Sequence, residues 1–276
     1  MPQREGTVSE MSEASDPTPD GDSPIAYDAI TQLRTDATGF IDLVSDQALA
    51  TVVPACPGWN LGDLTWHLAE VWHRWSLIVA QGITALDAVR ALEQPQRPND
   101  ASLIAWARAA QESVTSAIVE ADEQRLVWTW TGTSQPVAWA ARRMAQETAV
   151  HRWDAANAVG SCDDIPAVVA ADGIEEFLSC FAARRPNDAA EPIAGTVHLH
   201  CTDVGSNDQP LVNGEWLVTR LDESGIEFRR EHAKGDVAIR GRANDLLLWL
   251  WRRDGGSVEI LGDAAVAERF RAFASL

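Results

Sequence analysis

The chain has 276 residues, of which 46% are hydrophobic and 23% charged, and its formal net charge is −19. That apolar content can fill one large core or two modest ones, while so acidic a surface excludes a basic nucleic-acid-binding face and docking on an anionic membrane. No apolar run reaches the ~18 to 20 residues that span a bilayer, and no charged-then-apolar signal opens the chain, so the expected location is cytoplasmic.

Residues 1–24 hold six acids, one Arg and almost no apolar side chain, the composition of a disordered acidic tail. Helical periodicity then runs through AYDAITQLRTDATGFIDLV, with Ile30, Leu33, Phe40 and Leu43 as core candidates. CPGW, with a proline–glycine bend, precedes a second helix from about Leu61 that Asn60 can cap. A third helix repeats Leu103, Trp106, Ala107, Ala110, Val114 and Ile118 at helical spacing. The fourth opens at Pro136 and stops at Gly160, residues favoured at helix starts and ends. Four amphipathic helices over residues 25–160 describe a four-helix bundle.

After Gly160 the pattern changes. A helix over roughly 166–184 leads into the turn-rich PNDAAEPIAG, followed by alternating segments TVHLHC, GEWLVTRL, GIEFRRE and DVAIRG. Period-two alternation bounded by Gly, Asp and Asn predicts an antiparallel sheet, and helices over 243–252 and 264–274 flank the short strand SVEIL. The fold class is therefore α+β, with a smaller C-terminal α+β domain over residues 161–276.

Chemistry concentrates on His67, Glu147 and His151. Glu147 and His151 stand four apart, so a helix stacks them on one face. His67 falls within the apolar stripe of Leu64, Leu68, Val71, Trp75 and Ile78. Two imidazoles and a carboxylate suit zinc and leave a position open for a further ligand. The competing reading is a hydrogen-bonded core histidine beside a chance Glu–His pair, because spacing does not say which helices face each other. His73, about 120° further round, is expected to face solvent. Asp154, one turn beyond His151, is a candidate partner for it or half of a surface ion pair. Arg143, one turn before Glu147, meets a substrate carboxylate or balances the acid. Trp59 could line a pocket mouth. His198 and His200 share one strand face, as a second ligand pair or as ordinary surface histidines. The four cysteines lack any CxxC pair, so neither a disulfide framework nor a cysteine zinc site is expected, and Cys56 reads as part of the bend rather than as a nucleophile.

CPGWNLGDLTWHLAEVWHRW and RRMAQETAVHRWDAANAVG together resemble the mycothiol-dependent maleylpyruvate isomerase family, and VHLHCTD, GEW, DVAIRG and DLLLWLWRR…VEILGD resemble its C-terminal domain. The resemblance implies a DinB-like bundle in which His67, Glu147 and His151 hold Zn2+ or another divalent metal. It also implies a pocket arginine from the C-terminal domain, assigned here to Arg253, with Arg252 and Arg240 as rivals. Arg252 stands where the family pattern has glycine.

The expected partners are a small-molecule thiol, mycothiol, and a small electrophile, with the oligomeric state left open. A free thiol is mostly protonated at neutral pH, and coordination to zinc makes it a thiolate that can attack. Two outcomes share that chemistry. In S-transfer or thiol exchange, as in detoxification or antibiotic biosynthesis, the thioether is retained. In isomerisation, addition to maleylpyruvate, rotation and elimination give fumarylpyruvate. These motifs do not separate the two; transfer is set slightly ahead because isomerisation of one ring-cleavage product is a narrow niche. A metallohydrolase, which would need a general base that no HExxH motif supplies, and a non-catalytic binding module are the other classes.

Overall fold

The computed structural model describes residues 27–161, 163–182, 193–204, 214–222, 225–254 and 256–273. The acidic tail, Cys162 and most of the turn-rich linker lie outside the described residues. No helix among the described residues is long and apolar enough to cross a membrane.

The bundle comprises α1 (Ala29–Ser45), α2 (Leu61–Gln81), α4 (Asp100–Glu120) and α5 (Val137–Ala158), with a one-turn α3 (Leu86–Arg90) in the α2–α4 connection. Side chains fix the helix starts. Asp28 accepts from the Ile30 and Thr31 amides, and Asn60 and Asp63 form a reciprocal capping box on α2. On α1 the buried stripe is Leu33, Ala37, Phe40, Ile41 and Val44; Ile30 and Leu43 are only half buried at its margins. Trp72, fully buried, donates its indole N–H to Thr148 Oγ1 at 3.0 Å, which satisfies the polar end of a side chain whose burial contributes ~2–3 kcal/mol. His73 is not fully solvated: its ring lies 5.7 Å from that of Trp106. A two-residue strand pair, β1 (Leu126–Val127) and β2 (Gln135–Pro136), leads into α5.

α5 is the axis of the molecule. One side packs on α1 and α2, the other on α6 (Ala167–Glu176), whose C-terminal turn widens to π-helical over Phe177–Phe181. Several of its buried polar groups find partners across both seams. Arg152 reaches Asp36 of α1 at 2.9 Å; Arg142 holds Asp172 of α6 with Nε at 2.9 and 3.0 Å; Gln146 donates to Asp172 at 2.8 Å. Such pairing is the condition for burying charge at tolerable cost.

The C-terminal sheet is mixed, not antiparallel throughout. β3 (Val197–Cys201), β4 (Glu215–Asp222) and β5 (Gly225–Arg229) run as antiparallel neighbours. The chain then crosses back, so that β6 (Val237–Gly241) lies parallel to β3 on its other side, and β7 (Glu259–Gly262) closes that edge in antiparallel pairing. One face, carrying Val197, Leu199, Trp216, Val218, Val237 and Ile239, packs in a core with α6, α7 (Ala243–Leu250) and α8 (Ala264–Phe273). His198, His200 and Glu215 belong to the alternate positions, on the other face. An aromatic seam joins bundle and sheet domain: Trp130 contacts Trp75 and Phe181, and Phe181 contacts Trp251.

Candidate metal centre at the domain seam

α2 and α5 bring His67, Glu147 and His151 together. Glu147 Oε1 lies 3.1 Å from His67 Nε2 and 3.4 Å from His151 Nε2, and the two rings meet edge-on with centroids 5.0 Å apart. Ligand atoms around a tetrahedral zinc ion stand ~3.3 Å apart, given bonds of ~2.0–2.1 Å. Both Glu147–imidazole distances already have that spacing and the three donor atoms lie within 4.8 Å of one another. The donor set is one zinc accepts, and one side remains open: the His67 side chain is 33% exposed while that of His151 is 11% exposed.

Each buried ligand is held from behind. Arg143 engages the second oxygen of Glu147 and also Glu176, with its guanidinium 5.1 Å over the Phe181 ring. This leaves Glu147 Oε1 for the two imidazoles. Burial pushes the Glu147 carboxyl upward, but Arg143, His151 and His67 outweigh it and hold the group well below the usual carboxylate range. Asp154, with no exposed surface, accepts from His151 Nδ1 at 2.9 Å. Burial also raises the Asp154 carboxyl, yet its bonds to His151 and Arg253 bring it to about 2, so it only accepts. Nδ1 of His151 therefore carries the proton and Nε2 faces Glu147.

Arg253 arrives from the C-terminal domain, its Nε 3.1 Å and Nη2 2.8 Å from the two oxygens of Asp154, and its Nη1 donates to the Trp251 carbonyl. A helix end aims it there. The Arg253 amide bonds back to Leu248 O and the Arg252 amide to Trp249 O, the double closure of a Schellman turn with Arg252 at its left-handed position, φ 59°. That conformation is why glycine suits position 252. The Arg252 side chain leaves the seam and donates to Arg271 O at 2.6 Å, so it adds no second cation at the site. Arg240 is also remote. It lies on β6, exposed, 3.3 Å from Glu259.

The CPGW bend contributes more than a turn. Trp59 sets its ring 5.0 Å from that of His67, at the exposed side of the triad. Cys56 Sγ lies 3.5 Å from Asp154 Oδ2, and Cys56, His151 and Asp154 form a second close group. The sequence reading left Cys56 out of the site; its signal was the short span between it and His67, which ties the bend to the ligand helix. A cavity of about 380 Å³ lined by Tyr27, Arg142, Asp172 and Glu175 lies elsewhere and touches none of the triad.

Fold and site define an α+β protein in which a DinB-like helical bundle presents a His–Glu–His group able to hold a cation, with an arginine of the sheet domain behind it. The family model described as the mycothiol maleylpyruvate isomerase N-terminal domain matches residues 30–156, and that described as the MDMPI C-terminal domain matches residues 168–269. The chain belongs to the mycothiol-dependent maleylpyruvate isomerase family. It is similar to the crystal structure of the mycothiol-dependent maleylpyruvate isomerase, with a TM-score of 0.55 at 16% identity over 87% of this chain and 93% of that one. The crystal structure of a histidine-to-alanine mutant of that enzyme gives a TM-score of 0.53 at 15% identity, over 83% and 89% of the two chains. At such identity the likeness is one of fold. No curated protein sequence matches the chain.

Proposed function

We propose that the protein is a mycothiol-dependent metalloenzyme that isomerises an unsaturated keto-dicarboxylate of the maleylpyruvate type. The observation that carries this reading is the convergence of His67, Glu147 and His151 on one point, each buried ligand fixed by a charged partner, in a chain whose two halves both match that isomerase family. The comparisons favour isomerisation over S-transfer, which the motifs by themselves do not separate from it.

His67, Glu147 and His151 would hold a divalent cation, and its Lewis acidity would favour the anionic form of a thiol near neutral pH. The chain's own residues prepare the site for it. Arg143 turns one Glu147 oxygen inward by holding the other. Asp154 fixes the His151 tautomer and is itself oriented by Arg253. Three of the five N–H donors of Arg253 are engaged, which leaves two for a substrate carboxylate. Trp59 stands beside His67, the most exposed of the three ligands, with the rings 5.0 Å apart.

The test is incubation of zinc-loaded protein with maleylpyruvate and catalytic mycothiol, followed by absorbance and mass spectrometry. The expected result is fumarylpyruvate with the thiol unconsumed. A stable adduct carrying the mass of mycothiol would establish the transferase instead, and turnover without mycothiol would overturn thiol dependence.

A further inference from the structure

Five of the six histidines of the chain stand in two groups. One is the pair His67 and His151 with Glu147; the other is His198, His200 and His232 with Glu215, in the sheet domain. We infer that His198, His200, Glu215 and His232 form a second, structural site for a zinc-class divalent cation, distinct from the one in the bundle.

The four donors come from three elements and meet at one point. Glu215 Oε2 lies 2.8 Å from His198 Nε2, 3.1 Å from His200 Nδ1 and 2.6 Å from His232 Nδ1. One donor atom from each of the four residues falls within 4.8 Å of all the others. A tetrahedral zinc site asks for ~3.3 Å between ligand atoms, so the three Glu215–histidine contacts would open by ~0.2 to ~0.7 Å around the ion. Three imidazoles with one carboxylate select a borderline cation over calcium or magnesium, which prefer all-oxygen sites.

The backbone explains the convergence. His198 and His200 are two apart on β3 and so share a face, and Glu215 is the direct antiparallel partner of His200 on β4. His232 comes from the β5–β6 connection, which crosses over the sheet here and is pinned to the start of β3. Asp236 accepts from the Thr196 amide at 2.8 Å and from its hydroxyl at 2.9 Å, while the Asp236 amide donates to Thr196 O at 3.0 Å. A Cβ on Gly235 would stand 3.0 Å from Thr196 O and 3.1 Å from the His198 amide nitrogen, so only glycine lets the crossing run this close. The His198 side chain is 8% exposed under this crossing, on the sheet face away from the helices, whereas that of His232 is 78% exposed. Arg240, the parallel partner of His200, is answered by Glu259. Four protein donors close the coordination shell, which marks a site that staples the β5–β6 crossing to the sheet rather than one that binds substrate.

The experiment is metal stoichiometry. Full-length protein stripped with chelator is reloaded with excess Zn2+, desalted, and measured by inductively coupled plasma mass spectrometry. Two equivalents are expected for the wild type, and one each for His232→Gln and for the bundle variant His67→Ala/His151→Ala. His232 is exposed, so its substitution leaves the fold in place, as far-ultraviolet circular dichroism would verify. Cobalt loading gives an independent readout: His232→Gln should lose one of two sets of d–d bands. A single equivalent in the wild type that disappears with His67→Ala/His151→Ala, or two equivalents retained in His232→Gln, would overturn the inference.

Discussion

Asp154 and Arg253 are joined by two hydrogen bonds, 2.8 and 3.1 Å, that cross from the bundle to the C-terminal domain directly behind a candidate metal ligand. Asp154 is completely buried and also accepts from His151 Nδ1 at 2.9 Å. One carboxylate thus fixes both the tautomer of His151 and the position of Arg253. Asp154→Asn puts an amide where one oxygen now serves as acceptor and leaves the Arg253 charge without its counterion. Zinc affinity should fall ~10- to 100-fold, as for other residues that orient metal-bound histidines, and the fold should lose ~3–5 kcal/mol from the broken buried pair. Competition with a chromophoric chelator and urea unfolding measure the two effects. Affinity within twofold of the wild type would contradict the orienting role.

Arg253→Ala separates turnover from metal binding. The guanidinium does not touch the triad itself, so zinc should remain stoichiometric at saturating metal. Loss of a charge-assisted contact to a substrate carboxylate should lower kcat/KM by about 100-fold, equivalent to ~2.7 kcal/mol. Arg253→Lys should recover little of this, because an ammonium cannot make the two-pronged bond to Asp154 and still present a flat donor edge. Steady-state kinetics on metal-verified samples decide it. Rescue by lysine would reduce Arg253 to a point charge.

Much of the bundle is legible in the sequence because its signals are local. Asn60 with Asp63, the stripe through Leu64, Leu68, Trp75 and Ile78, and the four-residue spacing of Glu147 and His151 need only helical periodicity. What escapes is set by pairing across long separations. α5 reads as an amphipathic helix, yet Arg143, Gln146, Arg152 and Asp154 are all buried on it, since each finds its partner on another element. β6 reads as one more antiparallel strand, but its place beside β3 follows from the crossing of the β5–β6 connection, which no alternation encodes. The same crossing carries His232 to His198 and His200, from which it is separated by two intervening strands. Only the place of Arg253 after the Leu-rich segment sets it above Arg240 in the sequence; the Schellman turn after α7 is what directs it to Asp154, while the sheet register leaves Arg240 beside Glu259.

Glu176 sets a pH dependence of stability. Its burial, with Asp172 near, pushes its carboxyl up to about 7 in spite of Arg143 and Arg142, against an ordinary 4.5. A carboxyl raised in the folded state contributes stability that is fully present below its ordinary pKa and is lost as pH climbs through the folded value. Wild-type stability should therefore decline by about 3 kcal/mol between pH 4.5 and pH 7 from this group. Glu176→Gln keeps an oxygen for Arg143 and removes the proton equilibrium, so its unfolding free energy should be flatter over that window. Parallel pH profiles for the two proteins would show that Glu176 stays ionised.

Metal removal should loosen the α2–α5 contact, because His67 is on one helix and Glu147 and His151 are on the other. An ion at 1,000 times its Kd stabilises the folded state by ~4 kcal/mol, worth ~10 °C in Tm for a chain of this size. Chelation of the wild type should lower Tm accordingly. The part of that shift that reports the bundle is the part missing from His67→Ala. An identical zinc-dependent shift in His67→Ala would exclude His67 as a ligand.

Arg252 offers a test of the turn that aims Arg253. It is the non-glycine residue with positive φ among the described residues, 59°, at the position of a Schellman turn where glycine is favoured. A Cβ in the left-handed region costs ~1–2 kcal/mol, offset here in part by the bond from its guanidinium to Arg271 O. Alanine would lose that bond and keep the backbone cost, whereas glycine would lose the bond and relieve it. Arg252→Gly should therefore be more stable than Arg252→Ala by ~1 kcal/mol in urea unfolding, the reverse of the order in a helix interior. Both variants keep Arg253 in place only if the turn survives, so kcat/KM should be near wild type in Arg252→Gly and lower in Arg252→Ala. Alanine equal to or better than glycine on both measures would mean that the left-handed residue does not hold Arg253 against Asp154.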